Sequence, residues 1–169
     1  MNILILSAGT RNKIVQYFKK LTKGKVVATD MQAIAPAIYE ADKYYLVPRI
    51  TDPKYIDIIL DICKKEKIDA VITLIDPELS LLAQNKDKLE SIGVTFVGSS
   101  YELCEMALDK MQMYHWLKEH GYNCAKSYDS RDEFYKDLAC GKAKFPVFVK
   151  PIRGSASISI NKVEDKDTL

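Results

Sequence analysis

A short apolar run, Phe145–Val149, leads into a lysine and then into a loop of small residues. Lys150 ends a strand-like segment of mainly Val and Phe, where burying a charge is costly, so it requires an anionic partner or access to water. Small side chains let backbone N–H groups approach an anion, and serine hydroxyls add further donors. The stretch therefore predicts that Lys150 binds a nucleotide phosphate together with four loop residues, Gly154, Ser155, Ala156 and Ser157.

Each of these residues also has a simpler structural interpretation. A lysine at a strand end can extend into water, and a loop of small residues can be only the turn of a β-hairpin. Arg153 can reach a phosphate or remain an exposed loop arginine. The phosphate interpretation is favoured at Lys150 because the small-residue loop follows it so closely.

A second group of polar residues follows the apolar runs of the N-terminal half. Ser7–Arg11 comes at the end of the first run, and Asp30 and Asp76 close later ones. Parallel α/β sheets bind ligands at these strand ends, so the sequence predicts a substrate cleft there. Asp76 can instead be the N-cap of a helix that starts at Pro77, and Asp30 can be a polar strand end. The candidate substrate residues are Arg11, Asp30, Asp76 and Glu78.

The first hundred residues alternate between strand-like and helix-like patterns. Helical segments separate the apolar runs, and two of the helices are expected to start at Asp52-Pro53 and Asp76-Pro77. Strands at this spacing require crossover connections. The pattern predicts an α/β fold with a doubly wound, mainly parallel, Rossmann-like sheet of five strands, at residues 2–7, 25–29, 44–47, 70–75 and 94–97.

The pattern changes after Gly98. Tandem helices are expected to Gly121, with Asp109 as an N-cap that divides them. A short strand at Lys126–Tyr128, a helix after Ser130 and a hairpin of residues 147–150 with 158–163 then begin an α+β unit. Because this unit is incomplete, we expect a truncated chain or a split gene. The predicted divisions are 1–97 (α/β domain), 98–121 (helical linker) and 122–169 (start of a second subdomain).

Composition and residue spacing argue against several classes of function. The 169 residues carry 25 Lys and Arg against 23 Asp and Glu, with both signs interspersed, which gives no electrostatic case for a nucleic-acid partner. The four cysteines are too scattered for a thiolate metal site, and free thiols in the cytoplasm are expected. The N-terminal run is too short for a signal or membrane segment. Gly9 is the only glycine at the first turn, so the G-x-G-x-x-G dinucleotide motif is absent.

The order of these motifs resembles the ATP-grasp superfamily, in particular the large subunit of carbamoyl-phosphate synthase and biotin carboxylase. The resemblance covers most of the chain: the N-terminal half as a pre-ATP-grasp domain, then Leu108-Asp109-Lys110 with Leu117 and Gly121, and then the run 145–151 with Gly154–Ile158. It implies a ligase that uses ATP to phosphorylate a small carboxylate, so that an amine or another nucleophile can attack the acylphosphate.

The resemblance also implies residue roles. Lys150 and Lys110 match the two family lysines that contact the nucleotide, and the loop Gly154–Ile158 matches the one that closes over the β- and γ-phosphates. Where the family often has a further glycine, this chain has Ser159. The family binds Mg²⁺ or Mn²⁺ through its C-terminal half, so the catalytic residues stay unknown and this stretch alone is expected to be inactive. A separate chain or a homo-oligomer is the expected partner.

One alternative remains open from the residues themselves. The chain can be a non-catalytic α/β module that binds a small metabolite or a nucleotide sugar at the Gly9 turn. Its C-terminal piece would then serve for subunit contact. The complete N-terminal sheet pattern and the incomplete second unit are the basis for this alternative.

Overall fold

A computed structural model describes residues 1–154 and 157–169. The described chain divides into two compact units, Met1–Cys104 and Glu105–Leu169. The first unit is an α/β domain and the second is a smaller group of helices with one β-hairpin.

The first unit contains the five-stranded parallel sheet that the sequence predicts. Its strand order is β3-β2-β1-β4-β5, so β1 lies at the centre and the chain crosses over on both sides of it. The elements in chain order are β1 (Ile3–Leu6), α1 (Asn12–Leu21), β2 (Val26–Asp30), a 3-10 helix (Pro36–Glu40), β3 (Lys43–Leu46), α2 (Tyr55–Glu66), β4 (Ala70–Thr73), α3 (Asp76–Gln84), α4 (Lys86–Glu90) and β5 (Thr95–Phe96).

Both faces of the sheet are buried, as a doubly wound sheet requires. Leu4 and Leu6 of β1 belong to a core that includes Ile59 of α2. Ile3 and Ile5 point the other way and belong to a second core with Val15 of α1. Successive side chains of a strand point to opposite faces, which is why the central strand reads as a continuous apolar run in the sequence.

The two predicted helix starts are wrong in detail. Helix α2 begins at Tyr55, and Asp52 instead closes the preceding turn by accepting a hydrogen bond from Lys54 N over 2.8 Å. Helix α3 begins at Asp76 itself, with Ile75 at the N-cap position and no side-chain capping bond. Pro77 is still within the first helical turn, where a missing N–H costs little. Asp76 is therefore a first-turn residue and does not cap α3.

The second unit contains the remaining elements: the end of α5 (Tyr101–Leu108), α6 (Lys110–Glu119), α7 (Arg131–Ala139), β6 (Val147–Val149) and β7 (Asn161–Val163). Asp109 is the predicted N-cap, since its side chain accepts hydrogen bonds from the amides of Met111 and Gln112. The predicted hairpin is also confirmed, because β6 pairs antiparallel with β7.

The predicted strand at Lys126–Tyr128 is wrong. The segment pairs with no strand in the part of the chain that the structure describes. It is instead held by side chains, since Lys126 and Tyr128 both donate hydrogen bonds to the Asp137 carboxylate of α7. A segment fixed through its side chains can carry a strand-like sequence without joining a sheet.

A buried carboxylate links α2 to the amino-terminal side of the sheet. Glu66 is 4% exposed and accepts hydrogen bonds from Lys43 Nζ at 2.6 Å, from Tyr45 OH at 2.5 Å and from Lys25 Nζ at 3.3 Å. These contacts, led by that with Lys43, lower the pKa of Glu66 to about 2. The ionised form of Glu66 therefore stabilises the first unit.

Replacing Glu66 with glutamine tests this contribution. We expect Glu66→Gln to lower the free energy of unfolding at pH 7 by roughly 2 kcal/mol, because two ammonium groups lose their shared carboxylate. The pKa of the folded state lies below the ordinary value, so the benefit is complete above about pH 4.5 and is lost as the pH falls towards 2. Urea denaturation at pH 7 and at pH 3 measures the change in the free energy of unfolding under each condition.

The exposed Asp61 of the same helix provides the matched control, Asp61→Asn. An equal effect of the two substitutions at pH 7, or a Glu66→Gln effect that does not shrink at pH 3, would contradict the assignment.

Candidate functional site

A cavity of about 480 Å³ lies in the first unit, among the loops that follow four of the parallel strands. Parallel strands present their carboxyl ends at one edge, which is where ligands bind in open α/β sheets. Two arginines, Arg11 and Arg49, and one aspartate, Asp30, line the cavity. It can therefore offer positive charge to an anionic group and negative charge to a donor group of the same small ligand.

Asp30 also organises the turn after β1. Its Oδ2 accepts a hydrogen bond from Gly9 N over 2.8 Å, and its Oδ1 accepts one from Gln32 N over 3.0 Å. Gly9 has a φ of +56°, which favours glycine, and Ser7 just before it has a φ of +45° despite its side chain. Backbone strain of this kind is found at ligand sites, where the surrounding structure maintains it.

A fully buried carboxyl group supports one wall of the cavity. Glu78 accepts hydrogen bonds from the hydroxyls of Tyr55 and Thr73, and the Ser7 side chain also bonds to it. Burial raises the pKa of Glu78, and burial together with Glu78 raises the pKa of Tyr55. Because Ser7 and Tyr55 line the cavity, Glu78 acts on it through their orientation.

The predicted substrate residues thus have three different positions. Arg11 and Asp30 line the cavity, and Glu78 is buried beneath the cavity-lining Ser7 and Tyr55. Asp76 is exposed and does not line it. Arg49, Gln32 and Tyr55 also line the cavity and were not predicted from the sequence. The position of residues 48–51 directly after the strand predicted at 44–47 was the available signal for Arg49.

A smaller cavity, of about 120 Å³, lies in the second unit. Four of the predicted nucleotide-binding residues line it, namely Lys110, Lys150, Gly154 and Ser157. Pro151, Ile158 and Ile160 complete the lining. Ser155 and Ala156, which are also predicted to bind nucleotide, lie outside the described residues.

The two lysines of this cavity have different surroundings. Lys110 Nζ donates hydrogen bonds to two backbone carbonyls, of Ile152 at 3.2 Å and of Gly154 at 2.8 Å. Lys150 is exposed, and its ammonium group forms no ion pair with any residue in the described ranges 1–154 and 157–169. Lys150 is therefore the cation that is free to bind an anion.

The strand that carries Lys150 is less buried than its composition predicts. Phe148 is 65% exposed and Val149 is 42% exposed, so Lys150 reaches water without penalty. The predicted cost of a buried charge at Lys150 is therefore wrong, and the cavity and the adjacent loop are the features that favour a phosphate site there. Ser157 and Ser159 both have a positive φ, of +59° and +57°, and Gly154 has a φ of +137°. A positive φ is uncommon for serine, so the backbone of this loop is unusual at Ser157 and Ser159.

The described residues contain no group of three or more His, Cys, Asp or Glu side chains arranged to hold a metal ion. Among the helices of the described ranges, none is long and apolar enough to cross a membrane.

The family of the chain follows from comparison with known proteins, since residues 3–97 match the family model described as "PylC-like, N-terminal domain". The match spans more than half of the sequence, so the chain belongs to the PylC-like N-terminal domain family.

Two relatives extend far beyond this chain. A D-alanine–D-alanine ligase of Natranaerobius thermophilus is 30% identical over 89 residues, which are 48% of this chain and 24% of that protein. The carbamoyl phosphate synthase large chain of Clostridium acetobutylicum is 27% identical over 146 residues, which are 85% of this chain and 13% of that protein. The chain thus spans at most about a quarter of either relative.

Solved structures share the fold over nearly the whole chain. The L-amino acid ligase of Bacillus licheniformis superposes with a TM-score of 0.70 at 18% identity, covering 98% of this chain and 39% of that one. A second match is the biotin carboxylase domain of the Hydrogenobacter thermophilus 2-oxoglutarate carboxylase, solved as a dimer with MgADP, ADP and bicarbonate. It superposes with a TM-score of 0.66 at 18% identity, covering 98% of this chain and 38% of that one. These likenesses establish the fold.

The contact between Tyr55 and Glu78 can be tested by stability. We expect Tyr55→Phe to lower the free energy of unfolding by about 1–2 kcal/mol, because a buried carboxyl group loses a donor. The pKa of folded Glu78 is raised, so its ionisation opposes folding as the pH rises. Loss of a donor raises that pKa further, and the defect should be larger at pH 8 than at pH 5. Chemical denaturation at both pH values measures it.

Tyr17→Phe, at an exposed tyrosine of α1, is the matched control. Equal effects of the two substitutions, or a Tyr55→Phe defect that is no larger at pH 8, would show that the hydroxyl does not support Glu78.

Proposed function

We propose that the chain is the N-terminal portion of an ATP-dependent ligase of the ATP-grasp type that acts on a small carboxylate through an acylphosphate. The observation that carries the proposal is the cavity that Lys150 lines together with Gly154 and Ser157, where Lys150 has no ion pair among the described residues. A free ammonium group beside a loop of small residues suits a nucleotide phosphate. The similarity to a D-alanine–D-alanine ligase and to a carbamoyl phosphate synthase large chain supports the same function.

Each residue of this cavity has a proposed role. Lys150 contacts the phosphates as a point charge, and the N–H groups near Gly154 and Ser157 supply neutral donors. Lys110 holds the carbonyls of the loop and so keeps the cavity open towards Lys150. Mg²⁺ or Mn²⁺ would neutralise phosphate charge from carboxylates in the remainder of the ligase, supplied by the same protein or by a separate chain.

The cavity of the first unit suits the carboxylate substrate. Arg11 and Arg49 can bind its carboxylate, since guanidinium groups pair well with planar anions. Asp30 can accept a hydrogen bond from an amine or a hydroxyl of the same molecule. The proposed organisation is therefore a pre-ATP-grasp domain at 1–97, a linker at 98–121 and the beginning of the ATP-grasp small subdomain at 122–169.

Nucleotide binding by the full-length protein tests the proposal. We expect Lys150→Ala to weaken the binding of MgADP by about 10- to 100-fold, because a charge-assisted contact to phosphate is lost. Isothermal titration calorimetry measures the dissociation constants. Lys144→Ala removes an exposed lysine six residues earlier and should leave affinity unchanged. Equal losses in the two variants, or no loss in either, would overturn the assignment of Lys150.

A non-catalytic metabolite-binding module is the second candidate. The observation that favours it is that the 480 Å³ cavity is lined entirely by residues of the first unit. A thermal-shift screen of small metabolites and nucleotides separates the two candidates. The module predicts stabilisation by a metabolite and no shift with MgADP, whereas the ligase predicts a MgADP shift that Lys150→Ala abolishes.

A further inference from the structure

The segment that follows β6 is bound to the corner between α5 and α6. Lys110 N donates a hydrogen bond to Ile152 O over 3.1 Å. Asp109 and Arg153 form an isolated antiparallel β-bridge beside it. All of these residues lie within the second unit. The backbone just before the phosphate loop is therefore fixed to the start of α6.

The side chain of Arg153 strengthens this attachment. Its two terminal nitrogens each lie 3.0 Å from Glu105 Oε2, and its Nε lies 3.5 Å from Asp109 Oδ2. The carboxylate side chains are 27% and 14% exposed, so water screens these pairs only in part. A planar guanidinium group is suited to contact two carboxylates at once. Arg153 thus bridges the last turns of α5 and the N-cap of α6.

This arrangement is unfavourable for a phosphate contact by Arg153. Two carboxylates already pair with the one guanidinium group of Arg153. An incoming phosphate would have to displace both ion pairs to reach it. The free charge of Lys150 has no such competitor.

Lys110 holds the same segment by its backbone. Its ammonium group binds the carbonyls of Ile152 and Gly154, which are the residues on either side of Arg153. Three consecutive residues are thereby bound from the α5–α6 corner, directly before the loop that lines the cavity. A loop fixed at its base loses less conformational entropy when it binds a ligand.

We propose that Arg153 is a positioning residue of the nucleotide site, which acts through Glu105 and Asp109 to fix the base of the phosphate loop. The identity of the ligand rests on the proposed function, whereas the attachment of the loop base does not. The ion pairs of Arg153 hold the segment that ends at Gly154, and Gly154 lines the same cavity as Lys150.

A double-mutant cycle in the full-length protein tests the proposal. We expect Arg153→Ala to weaken MgADP binding about tenfold and Glu105→Ala to weaken it somewhat less, because Asp109 still pairs with the arginine. The double variant should bind no more weakly than Arg153→Ala alone. Lys162→Ala removes a cation whose ion pair among the described residues is with Glu164, beside it on the hairpin, and this substitution should have no effect. If Arg153→Ala lost affinity for MgADP and Glu105→Ala did not, Arg153 would instead be a phosphate ligand and the proposal would be wrong.

Hydrogen exchange of the nucleotide-free protein gives an independent result. The Lys110 amide should exchange about tenfold faster in Arg153→Ala, because its bond to Ile152 O depends on the attachment. An unchanged exchange rate of the Lys110 amide in Arg153→Ala would show that Arg153 does not fix the loop base. If the wild-type protein bound no MgADP, the proposed function and the nucleotide role of Arg153 would both fail, and exchange alone would decide whether the ion pairs fix the loop base.

Discussion

The positive charge of Lys150 has no counter-ion among the described residues, whereas the side chains of Arg153 and Lys110 are both occupied by other partners. Arg153, three residues later, is neutralised by Glu105 and Asp109. Lys110, which lines the same cavity, is engaged by backbone carbonyls. Of these three cations, Lys150 is the one whose side chain has no ion pair or hydrogen bond to the described residues. The proposed nucleotide site depends on this availability of the Lys150 ammonium group.

The first unit depends on a different constraint, the parallel direction of its strands. Because all five strands end at one edge, the loops after them meet there, and Arg11, Asp30 and Arg49 line one cavity although they are far apart in sequence. Buried polar contacts keep these loops in place. Asp30 holds the Gly9 turn, and Glu78 holds the hydroxyls of Ser7 and Tyr55.

Several features were predictable because a local pattern determines them. Apolar runs of strand length indicated the parallel sheet, and Asp109 was recognisable as an N-cap from its place before a helical pattern. Other features depend on contacts between distant residues. The pairing of Arg153 with Glu105 joins positions 48 residues apart, and no local pattern indicates it. The segment at Lys126–Tyr128 has a strand-like composition, yet the carboxylate of Asp137 determines its conformation.

Reactivity of the lysines measures the central claim most directly. The full-length protein would be acylated briefly with and without saturating MgADP, and the modified lysines quantified by mass spectrometry. Strong protection of Lys150 by the nucleotide is predicted, with unchanged labelling of the exposed Lys144 and Lys162. Equal labelling of Lys150 in both conditions, in a protein that binds MgADP, would contradict a nucleotide site at this lysine.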